Sequence, residues 1–226
     1  MAADSKDPVY KHVYEAILEQ KLAPGTRLSE ESLADIFGVS RTIVRRSLLK
    51  LAHEQVIQLR PNKGAIVASV SVEESKQIFF ARRVVERAII ELAVEKHSEA
   101  DLSALLAIIN QERACFEKGD RSAGIRLSGE FHFKLAEIAA NYQLQNFHRS
   151  LVPQTSLIIA QYEKRGISHC SYDEHFELIG VIRSKSVSSA VRLMMRHLDH
   201  IEAKLNLDSL PLSNDIHAIF ANINRK

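Results

Sequence analysis

The segment Leu28–Leu49 constrains the fold more than any other part of the chain, because its pattern fits two short amphipathic helices joined by a tight turn. Ala34 is small enough to let two helices approach, Gly38 suits the sharp turn between them, and Val44 packs the second helix on the first. This spacing predicts a helix-turn-helix, whose second helix fits the major groove of DNA. An ordinary helical hairpin with a charged, solvated face is the alternative that these residues leave open.

The second predicted helix presents hydroxyl and guanidinium side chains, which suit phosphates and the edges of guanine bases. These outward positions are Ser40, Arg41, Thr42, Arg45 and Arg46. Residues 41–63 contain six basic residues and one acidic residue, although the net charge of the 226-residue chain is only +2. Such a balanced total argues against a nonspecific nucleic-acid coat and against a membrane partner. The basic charge is therefore concentrated where DNA would lie.

The residues around this motif predict a winged helix. Apolar spacing predicts a first helix over 8–20. After the helix-turn-helix, Val56–Leu59 and Ala65–Ala68 are short β-prone runs that predict a hairpin. The basic tip of that hairpin, with Lys63 and Gly64, would reach phosphates or the minor groove. A hairpin that only completes a small core is the alternative.

From Val72 onward, apolar residues return every three or four positions and predict helices throughout. We expect these helices at about 73–97, 100–118, 121–140, 143–164, 171–184 and 187–206. The chain is long enough for two modest domains. The expected fold class is mainly α, with an N-terminal winged helix-turn-helix domain over 1–70 followed by an all-α helical bundle over 71–226. A short helix is also predicted near 215–221, in the tail.

The ends and the cysteines suggest an intracellular protein without disulfides. The first residues lack an apolar signal core, and no continuous apolar run is long enough to cross a bilayer, so we expect a cytoplasmic protein. The two cysteines, Cys115 and Cys170, are far apart and have neither metal-like nor redox spacing. They are interpreted as free thiols.

Three of the ten histidines fall on apolar faces of predicted helices, where a polar ring needs a partner. They are His132, His175 and His197. Inward imidazoles from three different helices would form a metal site if they converge. Core histidines that are satisfied by hydrogen bonds are the alternative that the residues alone leave open. His148, His169 and His217 lack a matching pattern and are predicted to be structural or exposed.

Together, these motifs resemble the GntR family of bacterial transcription regulators, and the helical part resembles the FCD type of its FadR-like branch. The resemblance covers about residues 8–206. It rests on Leu22–Leu28, Leu33-Ala34, Phe37–Thr42, Val44-Arg45 and Lys63-Gly64. The chain departs from the family at three positions, because Ile43 replaces a proline, Arg46 a glutamate and Ser47 an alanine. These changes make the second helix more basic. They bear on which operator sequence the protein recognises, and not on whether it binds DNA.

The resemblance implies that a homodimer binds a palindromic DNA operator. It assigns DNA contacts to Ser40, Arg41, Thr42, Arg45 and Gly64. Arg46 and Lys63 are added here because their charges suit phosphates. A guanidinium that grips guanine with both of its arms contributes to base recognition, whereas a phosphate contact strengthens binding to every sequence.

The resemblance also implies a divalent metal inside the helical bundle, held by His132, His175 and His197. The family places an aspartate or asparagine four residues before the first of these, where this chain has Ser128. Glu130 does not replace it, because two residues of helix turn it about 160° away. Either three histidines hold the metal with open positions, which we favour, or the site is metal-free and binds an effector directly. Imidazole ligands make zinc or nickel the expected metal.

Without that carboxylate the pocket is more positive, so we expect a small carboxylate-type metabolite as the effector. Arg82, Ser128 and His200 are the predicted effector-binding residues. The resulting prediction is a metabolite-responsive transcriptional repressor rather than an enzyme. A metal-dependent enzyme that uses the three-histidine cavity is the alternative, although no motif places a general base there. A DNA-binding protein whose helical domain only dimerises is a further alternative.

Overall fold

The computed structural model describes residues 7–60, 64–163 and 171–207. Lys63, Cys170, His169, His217 and the helix expected near 215–221 lie outside these ranges. Within the described residues there are nine helices and three strands, in agreement with the predicted mainly α fold. In chain order they are α1 (Pro8–Leu18), β1 (Arg27–Leu28), α2 (Glu30–Phe37), α3 (Arg41–His53), β2 (Ile57–Arg60), β3 (Gly64–Val67), α4 (Val72–Lys96), α5 (Glu99–Glu117), α6 (Arg121–Ile138), α7 (Tyr142–Tyr162), α8 (Ser171–Arg183) and α9 (Val187–Ala203).

The helix-turn-helix forms as its sequence predicts. Ser29 and Ser40 cap α2 and α3 by accepting hydrogen bonds from backbone N–H groups two or three residues into each helix. Gly38 ends α2 in the left-handed conformation, with φ of 62°, which a side chain would disfavour. Val44 is fully buried and packs α3 against the rest of the small core. The turn and the packing therefore fix the orientation of α3.

The wing is a three-stranded antiparallel sheet with the order β1-β3-β2. The predicted hairpin is present, since Ile57 pairs with Val67 and Arg60 pairs with Gly64. The third strand was not expected, because Arg27-Leu28 is too short to show alternation in the sequence; it pairs with β3. This extra pairing anchors the wing to the segment that precedes α2.

The helical domain packs all but one of its six helices around one apolar core. Ser71 with Glu74 and Ser98 with Asp101 form capping boxes at the starts of α4 and α5. The core includes side chains from every one of these helices except α7, which contributes a partly buried residue at its margin, Leu144. The observed ends lie within three residues of the predicted ones, and no described helix is long and apolar enough to span a membrane.

Helix α7 contains a proline in its interior, Pro153, and continues through it. Proline has no N–H to donate to the carbonyl four residues earlier, so the carbonyl of Arg149 receives no bond from this position of the helix. The next three carbonyls lie within the helix and also accept hydrogen bonds from side chains of the following turn. These bonds run from Gln154 to Ser150, from Thr155 to Leu151 and from Ser156 to Val152.

Candidate functional site

The exposed face of α3 carries the residues predicted to contact DNA. Arg41, Thr42, Arg45 and Arg46 are all exposed there, and Ser40 caps its start. An open groove of about 710 Å³ runs between α2, α3 and the wing, and both Arg41 and Arg45 line it. The structure thus brings these residues to one surface, while their contact with DNA stays a prediction.

Gly64 opens β3 beside this groove and has a backbone reason to be glycine. Its φ is 80°, and a Cβ at this position would lie 2.3 Å from the carbonyl oxygen of Leu28. Any other residue would force the wing away from the start of α2. The close approach explains the glycine structurally, independently of any contact between Gly64 and DNA.

Both arginines that we expect to read bases are paired with acidic residues in the first turn of α2. Arg45 donates two hydrogen bonds to Glu30, of 3.0 and 2.7 Å, and these bonds lower the pKa of the Glu30 carboxyl. Arg41 lies 3.6 Å from Glu31. The side chains of Arg45 and Arg41 are nevertheless 66% and 64% exposed, so each is accessible to a new partner.

The three predicted metal ligands converge in the helical domain. His132 lies on α6, His175 on α8 and His197 on α9, and all three are buried. One ring nitrogen of each lies within 4.8 Å of the others. The Nε2 atoms of His132 and His197 are 3.3 Å apart. The prediction that three inward histidines from three helices meet is therefore correct as geometry.

A carboxylate faces the Nδ1 atom of each of these histidines. Glu86 of α4 lies 3.0 Å from His132, although without hydrogen-bonding geometry, and Glu112 of α5 lies 3.0 Å from His175. Glu174 of α8 lies 2.7 Å from His197. Metal-ligating histidines commonly have such a partner, which fixes the ring and leaves Nε2 for the metal.

The electrostatics of the site keep His132 and His197 in the neutral form that binds metals. Burial lowers the pKa of His132 well below its ordinary value and lowers the pKa of His197 to about 4. The hydrogen bond from His197 helps to lower the pKa of Glu174 to about 2, so that this carboxylate is ionised. The Nε2 atom of His175 is buried and has no hydrogen-bond partner among the described residues.

A second buried group adjoins the first and shares His132. The Oε1 atom of Glu86 lies 3.0 Å from Nε2 of His148 and 3.1 Å from Nε of Arg82. His148 was predicted to be structural or exposed, and it is fully buried within this network. Glu86, His132 and His148 also have metal-like spacing. The adjacent Arg82 guanidinium disfavours a further cation there, so we interpret Glu86 as a carboxylate that orients both rings.

The predicted effector residues have different environments. Arg82 is only 3% exposed and its Nε already donates to Glu86. Ser128 lies on α6, one turn before His132, and is partly buried. His200 is 51% exposed and is bonded through Nδ1 to Glu174. Their roles in effector binding stay predictions.

Sequence reasoning missed the carboxylates that face the histidines, although one of them leaves a clear signal. Glu112 continues the buried stripe of Leu102, Leu105 and Ile109 along α5. An ionisable residue on an apolar face requires a buried partner. Glu86 occupies a similar position on α4, between buried residues Phe79 and Ile89. Reading such carboxylates together with the inward histidines would have identified the network.

A winged helix-turn-helix joined to a helical bundle with a buried histidine centre defines a DNA-binding transcriptional regulator with an effector-binding domain. Residues 6–67 match the model for bacterial regulatory proteins of the gntR family, and residues 77–200 match the model for the FCD domain. The chain belongs to the GntR family of transcriptional regulators and to its members with an FCD domain. This membership excludes the enzyme alternative, because the family and the similar proteins are regulators.

Individual relatives are similar over most of the chain. The HTH-type transcriptional repressor RspR of Escherichia coli K12 is 26% identical over 198 residues, which is 85% of each chain. The Uxu operon regulator of Haemophilus influenzae is 28% identical, over 78% of this chain and 72% of its own. The structure of E. coli McbR/YncC has a TM-score of 0.77 at 20% identity, over 86% of this chain and 93% of its own, and shows the same fold.

Proposed function

We propose that this protein is a homodimeric repressor that binds a palindromic operator through residues 1–70 and responds to a metabolite through residues 71–226. One observation carries the sensing half of the proposal. The three buried histidines converge through ring nitrogens, while a carboxylate faces Nδ1 of each. Such a centre has features that a purely structural core does not require.

We propose that His132, His175 and His197 hold a divalent metal, zinc or nickel. The neutral rings of His132 and His197 and the unsatisfied Nε2 of His175 suit a metal, and the nearby carboxylates match the usual environment of histidine ligands. A bound metal would supply a positive centre for an anionic ligand. Ser128 replaces a carboxylate that the family usually has, so one negatively charged protein group fewer competes with an anionic ligand for the metal. This favours a small carboxylate-type effector.

The DNA-binding half of the proposal rests on the exposed arginines of α3. Arg41 and Arg45 lie beside each other on the groove, and the side chains of both are largely exposed, as is Glu31, whereas Glu30 is partly buried. Exposed ion pairs of this type contribute little to stability, so exchanging them for DNA costs little. A repressor is the proposed mode, because the similar RspR is named a repressor. The site of action would be the cytoplasm, where operator DNA lies.

A homodimer is supported by apolar side chains on the surface of the helical domain. Phe80 and Val84 lie one turn apart on α4 and are 68% and 57% exposed. A second copy of the chain would cover them and would supply two DNA-binding domains for the two half-sites of a palindrome. Changing Phe80→Asp should halve the mass measured by light scattering. The matched control is Phe176→Asp on α8, where a similarly exposed phenylalanine should tolerate the change.

Metal content and affinity test the centre directly. Chelator-stripped protein, dialysed against zinc and separately against nickel, should retain about one ion per chain. His175→Ala should weaken this binding at least tenfold, while His97→Ala should leave it unchanged because His97 bonds to a nearby backbone carbonyl of its own helix. If neither metal is retained but a carboxylate raises the melting temperature, the metal-free sensor replaces the proposal.

A further inference from the structure

Several contacts between the DNA-binding domain and α7 of the helical domain fall in one short stretch. The Tyr14 hydroxyl donates to the carbonyl of Arg149 at 3.1 Å. Gln154 donates to the carbonyl of Glu54, and Gln20 donates to the carbonyl of Ser156, both at 3.5 Å. Leu157 is buried within the apolar core of the DNA-binding domain. All of these contacts fall between residues 149 and 157, a stretch that contains Pro153.

Pro153 makes the carbonyl of Arg149 more available to the Tyr14 hydroxyl. In an uninterrupted helix, the N–H at position 153 would occupy the carbonyl of Arg149, but proline has none. The Tyr14 hydroxyl donates to that carbonyl instead. In the next turn, Thr155 and Ser156 bond back to carbonyls of their own helix, a pattern that bends helices. This stretch of α7 is therefore the part of the helix that adjusts most easily.

The same stretch begins beside the histidine centre. His148 immediately precedes Arg149, and its ring bonds to Glu86, which also faces His132. Phe133 follows His132 on α6 and packs edge-on against His148, with ring centroids 5.6 Å apart. The Phe133 ring also lies 6.5 Å from the ring of Tyr14. Tyr14 thus contacts residues that directly follow His132 and His148.

Tyr14 is linked through Tyr10 to α3, the helix that carries the arginines proposed to contact DNA. Its ring stacks on Tyr10 of α1, with centroids 5.6 Å apart. The Tyr10 hydroxyl donates to Glu54 at 2.6 Å, and Glu54 caps the C-terminus of α3. The Lys50 ammonium of α3 lies 5.5 Å from the centre of the Tyr10 ring. Helix α1 therefore lies in contact with the helical domain through Tyr14 and with α3 through Tyr10.

We propose that Tyr14, bonded to the carbonyl of Arg149, is the residue through which the state of the histidine centre changes the placement of α3. A change at His132 would move Glu86 and His148, and with them the start of the stretch of α7 that contacts the DNA-binding domain. The Tyr14 bond has a discrete alternative, in which water takes the carbonyl, and this allows two arrangements of α1. The inference rests on the proposed metal site and on DNA binding.

The experiment compares DNA affinity with and without zinc. The probe is a labelled duplex that the wild type selects from random sequence, and the readout is fluorescence anisotropy with chelator-stripped or zinc-loaded protein. For the wild type, the two dissociation constants should differ by about 5-fold or more, which is the usual range of allosteric coupling. Zinc affinity is measured separately by competition with a chromophoric chelator.

Tyr14→Phe removes only the hydroxyl, and Pro153→Ala restores the N–H that competes for the Arg149 carbonyl. Each change should reduce the zinc-dependent ratio to less than about twofold, with zinc affinity unchanged. The double variant should show no further loss, because both changes break the same bond. Gln20→Ala, which removes another hydrogen bond from the same interface, should keep the wild-type ratio.

The outcomes separate this inference from the proposed function. If the wild type binds neither zinc nor nickel, the proposed metal centre fails, and the competition assay with each metal shows this directly. If zinc binds without changing DNA affinity, or if Tyr14→Phe and Pro153→Ala keep the full ratio, the coupling role of Tyr14 is wrong and the metal centre stands. Melting temperatures of all variants within a few degrees of the wild type would establish that the changes act on coupling rather than on folding.

Discussion

The two domains of this protein use charged residues in opposite ways. In the DNA-binding domain, Arg41 and Arg45 lie at the surface with largely exposed side chains, and their partners on α2 are the exposed Glu31 and the partly buried Glu30. In the helical domain, Arg82, Glu86 and the histidines around them are almost completely buried. Exposed pairs contribute about 0–1 kcal/mol, whereas removing one member of a buried pair leaves a charge without solvent or partner. DNA binding is thus separable from stability in the first domain, while sensing and stability are joined in the second.

The largest expected effect is on the stability of the helical domain. Glu86→Ala would leave Arg82 buried without its carboxylate and would remove the partner of His132 and His148. We expect the free energy of unfolding to fall by about 3–5 kcal/mol. Because the chain has no tryptophan, urea unfolding is best followed by circular dichroism at 222 nm.

The control for this change lies on the same helix. Glu91 pairs with Arg87 at the surface, so Glu91→Ala should cost less than about 0.5 kcal/mol. A similar cost for the two variants would contradict the distinction between buried and exposed charges.

The next effect should appear in DNA binding without a change in stability. Arg45→Ala removes a guanidinium that we expect to contact a base, and the loss of such an interaction costs about 1–3 kcal/mol of binding free energy. Unfolding should be unchanged, since the pair with Glu30 is exposed. Gel shifts with the selected duplex measure the loss, and Arg113→Ala, which breaks a surface pair on α5, is the control. Unaltered DNA affinity would show that Arg45 does not contribute to DNA binding.

A smaller effect is expected at Asp7, whose carboxylate is buried although it belongs to the DNA-binding domain. Ser47 donates to it at 2.6 Å from α3, at a position where the family has alanine. Ser47→Ala should lower the free energy of unfolding by about 1–2 kcal/mol, because a buried carboxylate loses a hydrogen bond. Ser103→Ala, which removes a serine with the same back-bond to its own helix on an exposed face, should cost less.

The Asp7 contribution should also depend on pH. Burial alone would raise its pKa, but the hydrogen bonds from Ser47 and from the backbone of Tyr10 lower it below the ordinary 3.8. Stabilisation by the ionised carboxylate is therefore complete above about pH 4 and is lost as the pH falls through the folded-state pKa. The difference between wild type and Ser47→Ala should shrink below pH 4. A difference that grows towards acid pH would refute this assignment.

The smallest expected effect concerns Arg46, where the family has glutamate. If Arg46 binds a phosphate, it strengthens binding to all sequences, so Arg46→Ala should weaken selected and random duplexes equally, by about 1 kcal/mol or less. The slope of log affinity against log salt concentration should become shallower by about one, because one phosphate is no longer neutralised. A loss confined to one base pair of the selected duplex would show instead that Arg46 reads sequence.

Local patterns predicted the elements of the fold well, because periodicity and capping residues act over short distances. Gly38, Ser29 and Ser40 each determine a helix end through their own backbone or side chain. The strand Arg27-Leu28 was missed because two residues have no detectable period, and it forms only when β3 is beside it. The helix predicted over 143–164 forms as α7 and continues through Pro153, since packing on both sides of the helix outweighs the lost bond.

The candidate site was only partly predictable, for a related reason. The convergence of His132, His175 and His197 followed from their places on apolar faces and from the family pattern. Their partners come from elsewhere in the chain: Glu86 and Glu112 belong to α4 and α5, and His148 belongs to α7. Such pairings depend on how the helices pack, which helical periodicity does not specify.

The position of Leu157 has a consequence for how this protein can be divided. This side chain belongs to α7, but it is fully buried in the apolar core of the DNA-binding domain. A fragment that ends at the domain boundary would expose to water the apolar surface that Leu157 covers, at a cost of about 1.5–3 kcal/mol for a side chain of this size. Chimaeras with relatives should therefore fold best when α1 and α7 are inherited together, so evolution is expected to exchange these domains as a matched pair.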